Sequence, residues 1–318
     1  MSSKATLPTN PTIAIVGAGA LGGYFGVRFA LAGFRVRFLM RSDLSAVRYG
    51  GLRLEMDDGT VHKVTRPEAH GSTAAIGPSD LVLIALKTTQ NACLPSTLGP
   101  LMRPQTVLLT LQNGLGNAEF LRRHFPDNPV IGGLCQIGVN RVAPGVIRNY
   151  IPGGGFVQLA ALDEAGGDLV EAVAALFDRA CIRTKTLPSL GEATWRKLMW
   201  NVPFNGLTIL AGGVSTDYVV NTPALRTYAR ELMEELRTAA GKLGHPIEAE
   251  YTDKLLEFTD RMKPYRPSSL VDFLEGKEVE VEAIFGEPLR LGEAACVSMP
   301  RLSALYRLLQ GVRSPALK

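Results

Sequence analysis

The start of the chain shows a repeating alternation of short apolar runs and helical periodicity. Residues 12–16 form an apolar run, residues 21–31 repeat apolar positions at a helical spacing, and residues 35–40 predict a second strand. Gly33 separates the helical stretch from the second strand, as a glycine at a helix end does. The pattern predicts a βαβ unit.

Further apolar runs continue this rhythm. Leu81–Leu86 and residues 106–112 are apolar with no polar alternation, which is typical of strands in a parallel sheet covered on both faces. The segment "GLRLEMDDGTVHKV" predicts a hairpin that turns at Asp58-Gly59. The first part of the chain is therefore predicted to be an α/β domain.

Helical periods dominate after Pro188. Thr222 and Pro223 form a cap followed by a first-turn proline, and this pair predicts a helix that runs to about residue 243. Residues 246–261 predict another helix, and Pro300 begins a last one. We predict three segments: a loose tail over residues 1–10, an α/β domain over 11–188 and an all-helical domain over 189–318.

Composition places the chain among soluble globular proteins. It has 318 residues, of which 46% are hydrophobic and 20% charged, and this length exceeds what one core usually spans. The net charge of +4 is mild and its basic residues are scattered, which argues against nucleic acid as a partner and suits an anionic ligand. No apolar run reaches the length of a membrane span.

The cysteines and the N-terminus bear on the compartment. Four cysteines lie far apart, without the spacing of a disulfide framework or a zinc site: Cys93, Cys135, Cys181 and Cys296. The first ten residues lack the apolar core of a signal peptide. We expect a cytoplasmic protein that holds no metal, and base rates favour a homodimer.

A glycine motif lies between the first strand and the first helix. Gly17, Gly19 and Gly22 have the G-x-G-x-x-G spacing in the βαβ context that dinucleotide binding requires. The first glycine permits the tight turn, the second lets the backbone approach a pyrophosphate, and the third lets the helix pack closely. The predicted cofactor-binding residues here are Gly17, Ala18, Gly19, Ala20, Leu21 and Gly22.

The residues after the second strand select the cofactor. Enzymes that use NAD place an acidic residue there, to accept hydrogen bonds from the ribose 2′-hydroxyl. This chain has Arg41 and Ser42, and a guanidinium pairs well with a 2′-phosphate. We therefore predict NADPH as the cofactor, with Asp43 as the ribose ligand if the register is shifted.

Lys87 and Asn113 follow two of the predicted parallel strands. Ligands of such sheets bind beyond the carboxyl ends of the strands, so both residues are site candidates. Asn113-Gly114 is equally well explained as turn chemistry.

The segment "WRKLMWNVPFN" carries a polar stripe on an otherwise apolar helix. Lys197, Asn201 and Asn205 recur at every fourth position and so lie on nearly one face. A single helix lysine is most often solvated, but a buried polar group without a partner costs about 1–3 kcal/mol. The stripe therefore predicts a polar ligand. Pro203 lies within the same helix and predicts a kink near Met199.

These motifs together resemble one enzyme family. "GAGALGG", "ALKTTQ", "LQNGLGN", "KLMWNVPFNGLTIL", "PSSLVDFLEGKEVEVEAIFG" and "MPRLSALYRLL" occur in this order over nearly the whole chain, and they resemble the ketopantoate reductase (2-dehydropantoate 2-reductase) family. The resemblance implies an α/β Rossmann-type nucleotide-binding domain followed by an all-helical C-terminal domain. It also implies NADPH-dependent reduction of 2-dehydropantoate to pantoate, a step towards pantothenate and coenzyme A.

The resemblance also implies roles for individual residues. Lys197 corresponds to the general acid, and Glu280 to the carboxylate of the catalytic region. The implied substrate-binding residues are Asn113, Lys197, Asn201, Asn205 and Ser269, and those at the cofactor include Arg41, Lys87 and Asn113. The spacing from Ser269 to Glu280 is one residue shorter than the family's, so Glu278 and Glu282 are rivals of Glu280.

Two alternatives to this function stay open. The first is a related NADP-dependent reductase of another 2-oxo or 3-hydroxy acid, because pocket shape depends on loops that the sequence does not define. The second is a protein that senses NADPH without turnover. A proton donor such as Lys197 argues against a sensor, because a sensor needs none.

Overall fold

The computed structural model describes residues 6–314. These residues form two compact units. The first unit runs to Gln112 and resumes over Asn117–Leu190, and the second combines Asn113–Gly116 with the described residues from Gly191 onward. The sequence placed one boundary at residue 188 and did not indicate that four residues of the first half belong with the second unit.

The first unit consists of strands and helices in alternation. Its described strands are β1 (Thr12–Val16), β2 (Arg35–Leu39), β3 (Leu52–Glu55), β4 (Val61–Val64), β5 (Glu68–His70), β6 (Leu81–Ile84), β7 (Val107–Thr110), β8 (Val130–Gln136), β9 (Val139–Ala143), β10 (Val146–Asn149), β11 (Phe156–Ala161) and β12 (Arg183–Thr186). Its helices are α1 (Ala20–Leu31), α2 (Leu44–Gly50), α3 (Thr73–Ile76), α4 (Leu94–Leu98), α5 (Asn117–His124) and α6 (Glu164–Arg179). Short 3₁₀ helices cover Thr88–Cys93, Gly99–Leu101 and Pro152–Gly154.

The main sheet has eight strands in the order β12-β11-β8-β7-β6-β1-β2-β5. The pairs from β8 through β5 are all parallel, so β7, β6, β1 and β2 end at the same edge. β11 runs antiparallel to β8, which the uniform apolar pattern did not predict.

A smaller sheet has the order β4-β3-β10-β9. β3 and β4 form the predicted antiparallel hairpin, and Gly59 in its turn has a φ of +85°. α1 packs against this sheet closely, because a Cβ at Gly23 would lie 2.8 Å from the Ile147 side chain. On its other side, a Cβ at Gly26 would lie 2.1 Å from Phe38 of β2. Both glycines are therefore packing residues.

The second unit is helical. It contains α7 (Leu190–Leu210), α8 (Thr216–Asn221), α9 (Pro223–Lys242), α10 (Glu250–Asp260), α11 (Ser268–Leu274), α12 (Glu287–Ala294) and α13 (Pro300–Gly311), with a π-helical turn over Glu282–Gly286. It has its own hydrophobic core, in which α7, α9 and α13 meet and to which Leu115 contributes. Over residues 6–314, no helix is both long and apolar enough to cross a bilayer.

The two units confirm the predicted fold class, an α/β nucleotide-binding type of domain followed by a helical one. α7 includes Pro203 within its 21 residues and continues beyond it. The kink expected near Met199 stays a prediction.

Candidate active site

The glycine motif forms a tight turn that requires glycine at its first and third positions, Gly17 and Gly22. Gly17 has a φ of +97°, and a Cβ on it would lie 2.6 Å from the Leu86 backbone nitrogen. A Cβ on Gly22 would lie 2.2 Å from the Gly17 oxygen, which holds α1 close to the turn. At Gly19 a Cβ would meet no atom within 4 Å, so the backbone there is open to a ligand.

The first turn of α1 suits an anion. It contains no acidic residue, and the first N–H groups of any helix lack partners within the helix. Together with the positive end of the helix dipole, these groups attract phosphate. The turn from Gly17 to Gly22 therefore fits the pyrophosphate of a dinucleotide.

The segment after β2 distinguishes two candidate nucleotide ligands. Arg41 is exposed, whereas Asp43 is buried and its carboxylate accepts hydrogen bonds from Ser42 Oγ, the Gly145 N–H and Arg141. Burial acts to raise the pKa of Asp43, but these hydrogen bonds outweigh it and hold the pKa below its usual value. A carboxylate already engaged in this way is a poor ribose ligand, so the structure favours Arg41 over Asp43.

Lys87 lies three residues beyond the end of β6 and is half-buried. β6 pairs with β1, and β1 pairs with β2. Lys87 and Arg41 therefore follow the two strands that flank β1, at the edge where the glycine turn lies.

A carboxamide network that the sequence did not predict lies at the end of β7. Gln112 Nε2 donates to Asn91 Oδ1 at 2.7 Å, and Asn91 Nδ2 donates to Asn117 Oδ1 at 3.0 Å. Gln112 and Asn117 flank the tetrapeptide Asn113–Gly116, so Asn91 connects the two ends of this loop. Only the adjacent polar residues in "LQNG" hinted at such a role.

The tetrapeptide Asn113–Gly116 contacts the rest of the second unit, to which it belongs, through three residues. Asn113 Oδ1 accepts a hydrogen bond of 2.9 Å from Asn201 Nδ2, and the Leu115 N–H donates to the Ala283 oxygen at 2.8 Å. Gly114 has a φ of +88°, and a Cβ there would lie 2.4 Å from the same oxygen. The Asn-Gly pair thus serves both as a turn and as a contact with α7.

The acceptor for Leu115 belongs to the π-helical turn Glu282–Gly286. π-Helical turns interrupt the regular backbone bonding of a helix and occur frequently at functional sites. This turn was not predicted, because its sequence "EAIFG" has no feature that separates it from an ordinary helix.

The polar stripe of α7 is real, but much of it is satisfied within the protein. Lys197 is half-buried, and Asn201 and Asn205 are 6% and 1% exposed. Asn205 Nδ2 donates to the Asn201 backbone oxygen at 2.8 Å, and Asn205 Oδ1 accepts from the Ser269 N–H at 3.0 Å. Asn113, Asn201, Asn205 and Ser269 therefore form one hydrogen-bonded row.

This row alters the interpretation of Asn205. The sequence predicted that Asn205 contacts a substrate directly, whereas both ends of its carboxamide bond within the protein and almost none of it is exposed. Its oxygen accepts from an N–H in the first turn of α11, where Pro267 provides no side-chain cap. The structure thus makes Asn205 a residue that positions Ser269.

The three rival glutamates differ in their surroundings. Glu282 is exposed, and it accepts hydrogen bonds from Tyr306 Oη at 2.6 Å and from Arg290 at 2.9 Å. Burial acts to raise the pKa of Glu282, but these donors outweigh it and hold the pKa below its usual value. Glu278 is exposed, while Glu280 is half-buried and lies two residues before the π-helical segment. Burial favours Glu280 as the active-site carboxylate.

In the part of the chain that the structure describes, no group of three or more His, Cys, Asp or Glu side chains could hold a metal ion.

Comparisons with known proteins agree with this architecture. The model of the family described as ketopantoate reductase PanE/ApbA matches residues 13–164, and the model of its C-terminal domain matches residues 190–313. A 2-dehydropantoate 2-reductase of Nostoc sp. is 36% identical over 304 residues, which cover 93% of each chain.

Solved structures show the same likeness. The crystal structure of 2-dehydropantoate 2-reductase from Geobacter metallireducens is 36% identical with a TM-score of 0.89, and it covers 94% of this chain and 99% of that one. The enzyme of the same name from Methylococcus capsulatus is 32% identical with a TM-score of 0.87, over 94% and 96% of the two chains. On the strength of both domain matches and these relatives, the chain belongs to the ketopantoate reductase family of oxidoreductases.

Proposed function

We propose that the protein reduces 2-dehydropantoate to pantoate with NADPH, a step towards pantothenate and coenzyme A. The observation that carries the proposal is the row of polar groups on and around α7, from Asn113 through Asn201 to Ser269, with Lys197 one helical turn before Asn201. The relatives named 2-dehydropantoate 2-reductase support the choice of substrate.

The first unit fits a phosphorylated dinucleotide. The turn from Gly17 to Gly22 offers open backbone at Gly19 for the pyrophosphate, and the exposed Arg41 offers a guanidinium for the 2′-phosphate. Lys87 adds a second positive charge at the same edge of the sheet. When bound, NADPH supplies a hydride to the keto carbon of the substrate.

Lys197 is the proposed general acid. Negative charge develops on the keto oxygen during reduction, and a lysine ammonium there stabilises the charge and donates the proton. Such assistance is worth roughly 10²–10⁴-fold in rate. Glu280, half-buried before the π-helical turn, is proposed to hold the ammonium in position.

Asn113, Asn201 and Ser269 are the proposed substrate contacts. A 2-oxo acid with a hydroxyl group presents a carboxylate, a carbonyl and a hydroxyl, and amide and hydroxyl side chains can bond all three. Asn205 contributes through its bond to the Ser269 N–H, which fixes the start of α11.

The test is a comparison of substrates by the loss of NADPH absorbance. We expect turnover with 2-dehydropantoate and much slower turnover with pyruvate and unbranched 2-oxo acids. The sharpest comparison is 2-oxoisovalerate, which lacks the hydroxymethyl group. Since a site built to bond a hydroxyl discriminates strongly against its loss, kcat/KM should fall at least about tenfold.

Other outcomes have distinct meanings. Turnover of another 2-oxo acid without turnover of 2-dehydropantoate would overturn the substrate and leave the reductase class. Saturable binding of NADPH without turnover of any 2-oxo acid would favour a sensor.

A further inference from the structure

An ion pair next to the proposed 2′-phosphate site has no part in the function described so far. Asp43 is 7% exposed, and Oδ1 of its carboxylate accepts hydrogen bonds from Ser42 Oγ at 2.9 Å and from Nη1 of Arg141. Its other oxygen accepts from the Gly145 N–H at 3.1 Å. The side chain of Arg141 is 40% exposed, so the pair lies at the surface with its carboxylate turned inward.

The position of the pair places it beside the nucleotide. Arg41, Ser42 and Asp43 follow β2, which is where Rossmann units bind the adenosine ribose. Ser42 and Arg141 share one carboxylate oxygen, so these two side chains lie within two hydrogen-bond lengths of each other. The Arg141 guanidinium is thus next to the segment that carries Arg41.

The charge of Asp43 has a consequence for binding. Its pKa lies below the usual value, so the carboxylate is ionised at neutral pH. An acidic residue in this region is how NAD enzymes favour a ribose hydroxyl, and a nearby 2′-phosphate would be repelled by it. The charge of Asp43 must therefore be balanced if NADPH is to bind well, and the positive group in contact with it is Arg141.

We propose that Arg141 determines the preference for NADPH over NADH by neutralising Asp43 beside the 2′-phosphate. This inference rests on the proposed NADPH dependence. Arg141 acts through Asp43 and is a positioning and charge-balancing residue, distinct from Arg41, which is proposed to contact the phosphate itself.

The β9–β10 hairpin of the smaller sheet supplies two of the three hydrogen bonds that hold the carboxylate. Arg141 lies in β9, and Gly145 lies in the turn between β9 and β10 with a φ of +73°. A Cβ at Gly145 would lie 3.0 Å from the Gly51 oxygen, so the turn packs tightly against the end of α2. The β9–β10 hairpin therefore has a fixed place from which it presents Arg141 to Asp43.

The experiment measures the dissociation constants of NADPH and NADH by nucleotide fluorescence for the parent, Arg141→Gln, Arg141→Lys, Asp43→Asn and the double variant Asp43→Asn/Arg141→Gln. In Arg141→Gln the Kd of NADPH should rise about tenfold, equivalent to about 1.4 kcal/mol, with NADH changed less than about threefold. Arg141→Lys should keep most of the preference, because it keeps the charge.

The double variant separates charge balance from direct contact. With Asp43 already neutral, removal of Arg141 should change the Kd of NADPH by less than about threefold. A tenfold loss that persists in the Asp43→Asn background would overturn the proposal, because Arg141 would then contact the phosphate itself. Asp43→Asn and the double variant leave no buried carboxylate unpaired. Their comparison therefore still tests the proposal if Arg141→Gln fails to fold.

The remaining outcomes are also decisive. If the parent prefers NADPH and Arg141→Gln keeps the same preference, the proposed role of Arg141 is wrong and the cofactor assignment stands. A parent that binds NADH more tightly overturns the cofactor assignment and this inference with it.

Discussion

At the scale of single residues, Lys197 has the most specific predicted role. It lies one helical turn before Asn201 on α7 and on the same face. Lys197→Ala should lower kcat by about two orders of magnitude or more and leave the affinity for NADPH nearly unchanged, because the proton is needed in the transition state. Steady-state kinetics and nucleotide titration measure the two effects. A kcat close to that of the parent would mean that Lys197 is not the general acid.

The choice among the glutamates is tested by a matched pair. Glu280→Gln should lower kcat clearly, because Glu280 is half-buried and proposed to orient the Lys197 ammonium. Glu278→Gln, two residues away and exposed, should have little effect. If the two variants rank in the opposite order, the active-site carboxylate is Glu278.

Arg41 is tested with the two nicotinamide cofactors. Arg41→Ala should raise the Kd of NADPH by about tenfold to a hundredfold, which corresponds to about 1.5–3 kcal/mol for a charge-assisted hydrogen bond. NADH should bind as before, because it has no phosphate at this position. Arg66→Ala, an exposed arginine of the same unit, is the control and should alter neither affinity. Equal losses for both cofactors would mean that Arg41 supports the fold or the adenine.

The sequence predicted which residues are polar on α7 and not what they contact. The spacing of Lys197, Asn201 and Asn205 fixes their common face. The partner of Asn205 is the N–H of Ser269, 64 residues further along, and only tertiary packing brings the two together. For the same reason the sequence could not show that Arg141 neutralises Asp43, 98 residues away.

At the scale of elements, the sequence predicted the central residues of the helices correctly, but it misplaced several helix ends. Residues 246–261 were predicted as one helix, but α10 covers only Glu250–Asp260. α9 starts at Pro223 as expected, yet the side chain of Thr222 makes no capping hydrogen bond. Periodicity defines the interior of a helix, whereas its ends depend on caps and on neighbouring elements.

The start of α10 is attached to α7 by an ion pair. Two nitrogens of Arg196 donate to the two carboxylate oxygens of Glu248 at 3.0 and 2.6 Å, and the guanidinium lies 4.8 Å from the centre of the Tyr251 ring. The hydrogen bonds from Arg196 lower the pKa of Glu248 from 4.5 to about 2. A depressed folded-state pKa stabilises the fold above the unfolded pKa.

This stabilisation should depend on pH in a defined window. Glu248→Gln should lower the free energy of unfolding by no more than about 1 kcal/mol at neutral pH, because the pair is partly exposed. The difference from the parent should shrink as the pH falls from about 4.5 towards 2, where Glu248 becomes protonated. Urea unfolding of the parent and of Glu248→Gln at a series of pH values measures the difference. A difference that grows on acidification would contradict the prediction.

At the scale of the whole molecule, each unit has its own core, and Leu115 belongs to the second although the chain on either side of its tetrapeptide, at Gln112 and Asn117, belongs to the first. Local hydrophobic patterns cannot indicate this, because the assignment depends on the contact with Ala283. The division into an α/β part and a helical part was predicted because each has its own periodicity along the chain.

Leu115→Ala should therefore destabilise the second unit. The side chain is 8% exposed, and a buried leucine truncated to alanine costs about 2–5 kcal/mol, so we expect about 2 kcal/mol. Hydrogen exchange should increase in peptides that cover α7 and residues 282–286. Leu111→Ala, a leucine of the first core that is 4% exposed, should instead increase exchange in β6 and β7. If both variants increase exchange in the same peptides, the assignment of Leu115 to the second core is wrong.

The tetrapeptide Asn113–Gly116 also bears on how the protein is made. A ribosome synthesises these four residues before any of the helices α7–α13, and domains generally fold in the order of their synthesis. The first sheet can thus assemble while the loop after β7 still lacks the oxygen of Ala283 that accepts its N–H. Asn201 must emerge before it can meet Asn113, and Ser269 must emerge before it can bond Asn205, so a nascent protein completes its row of polar groups late in translation.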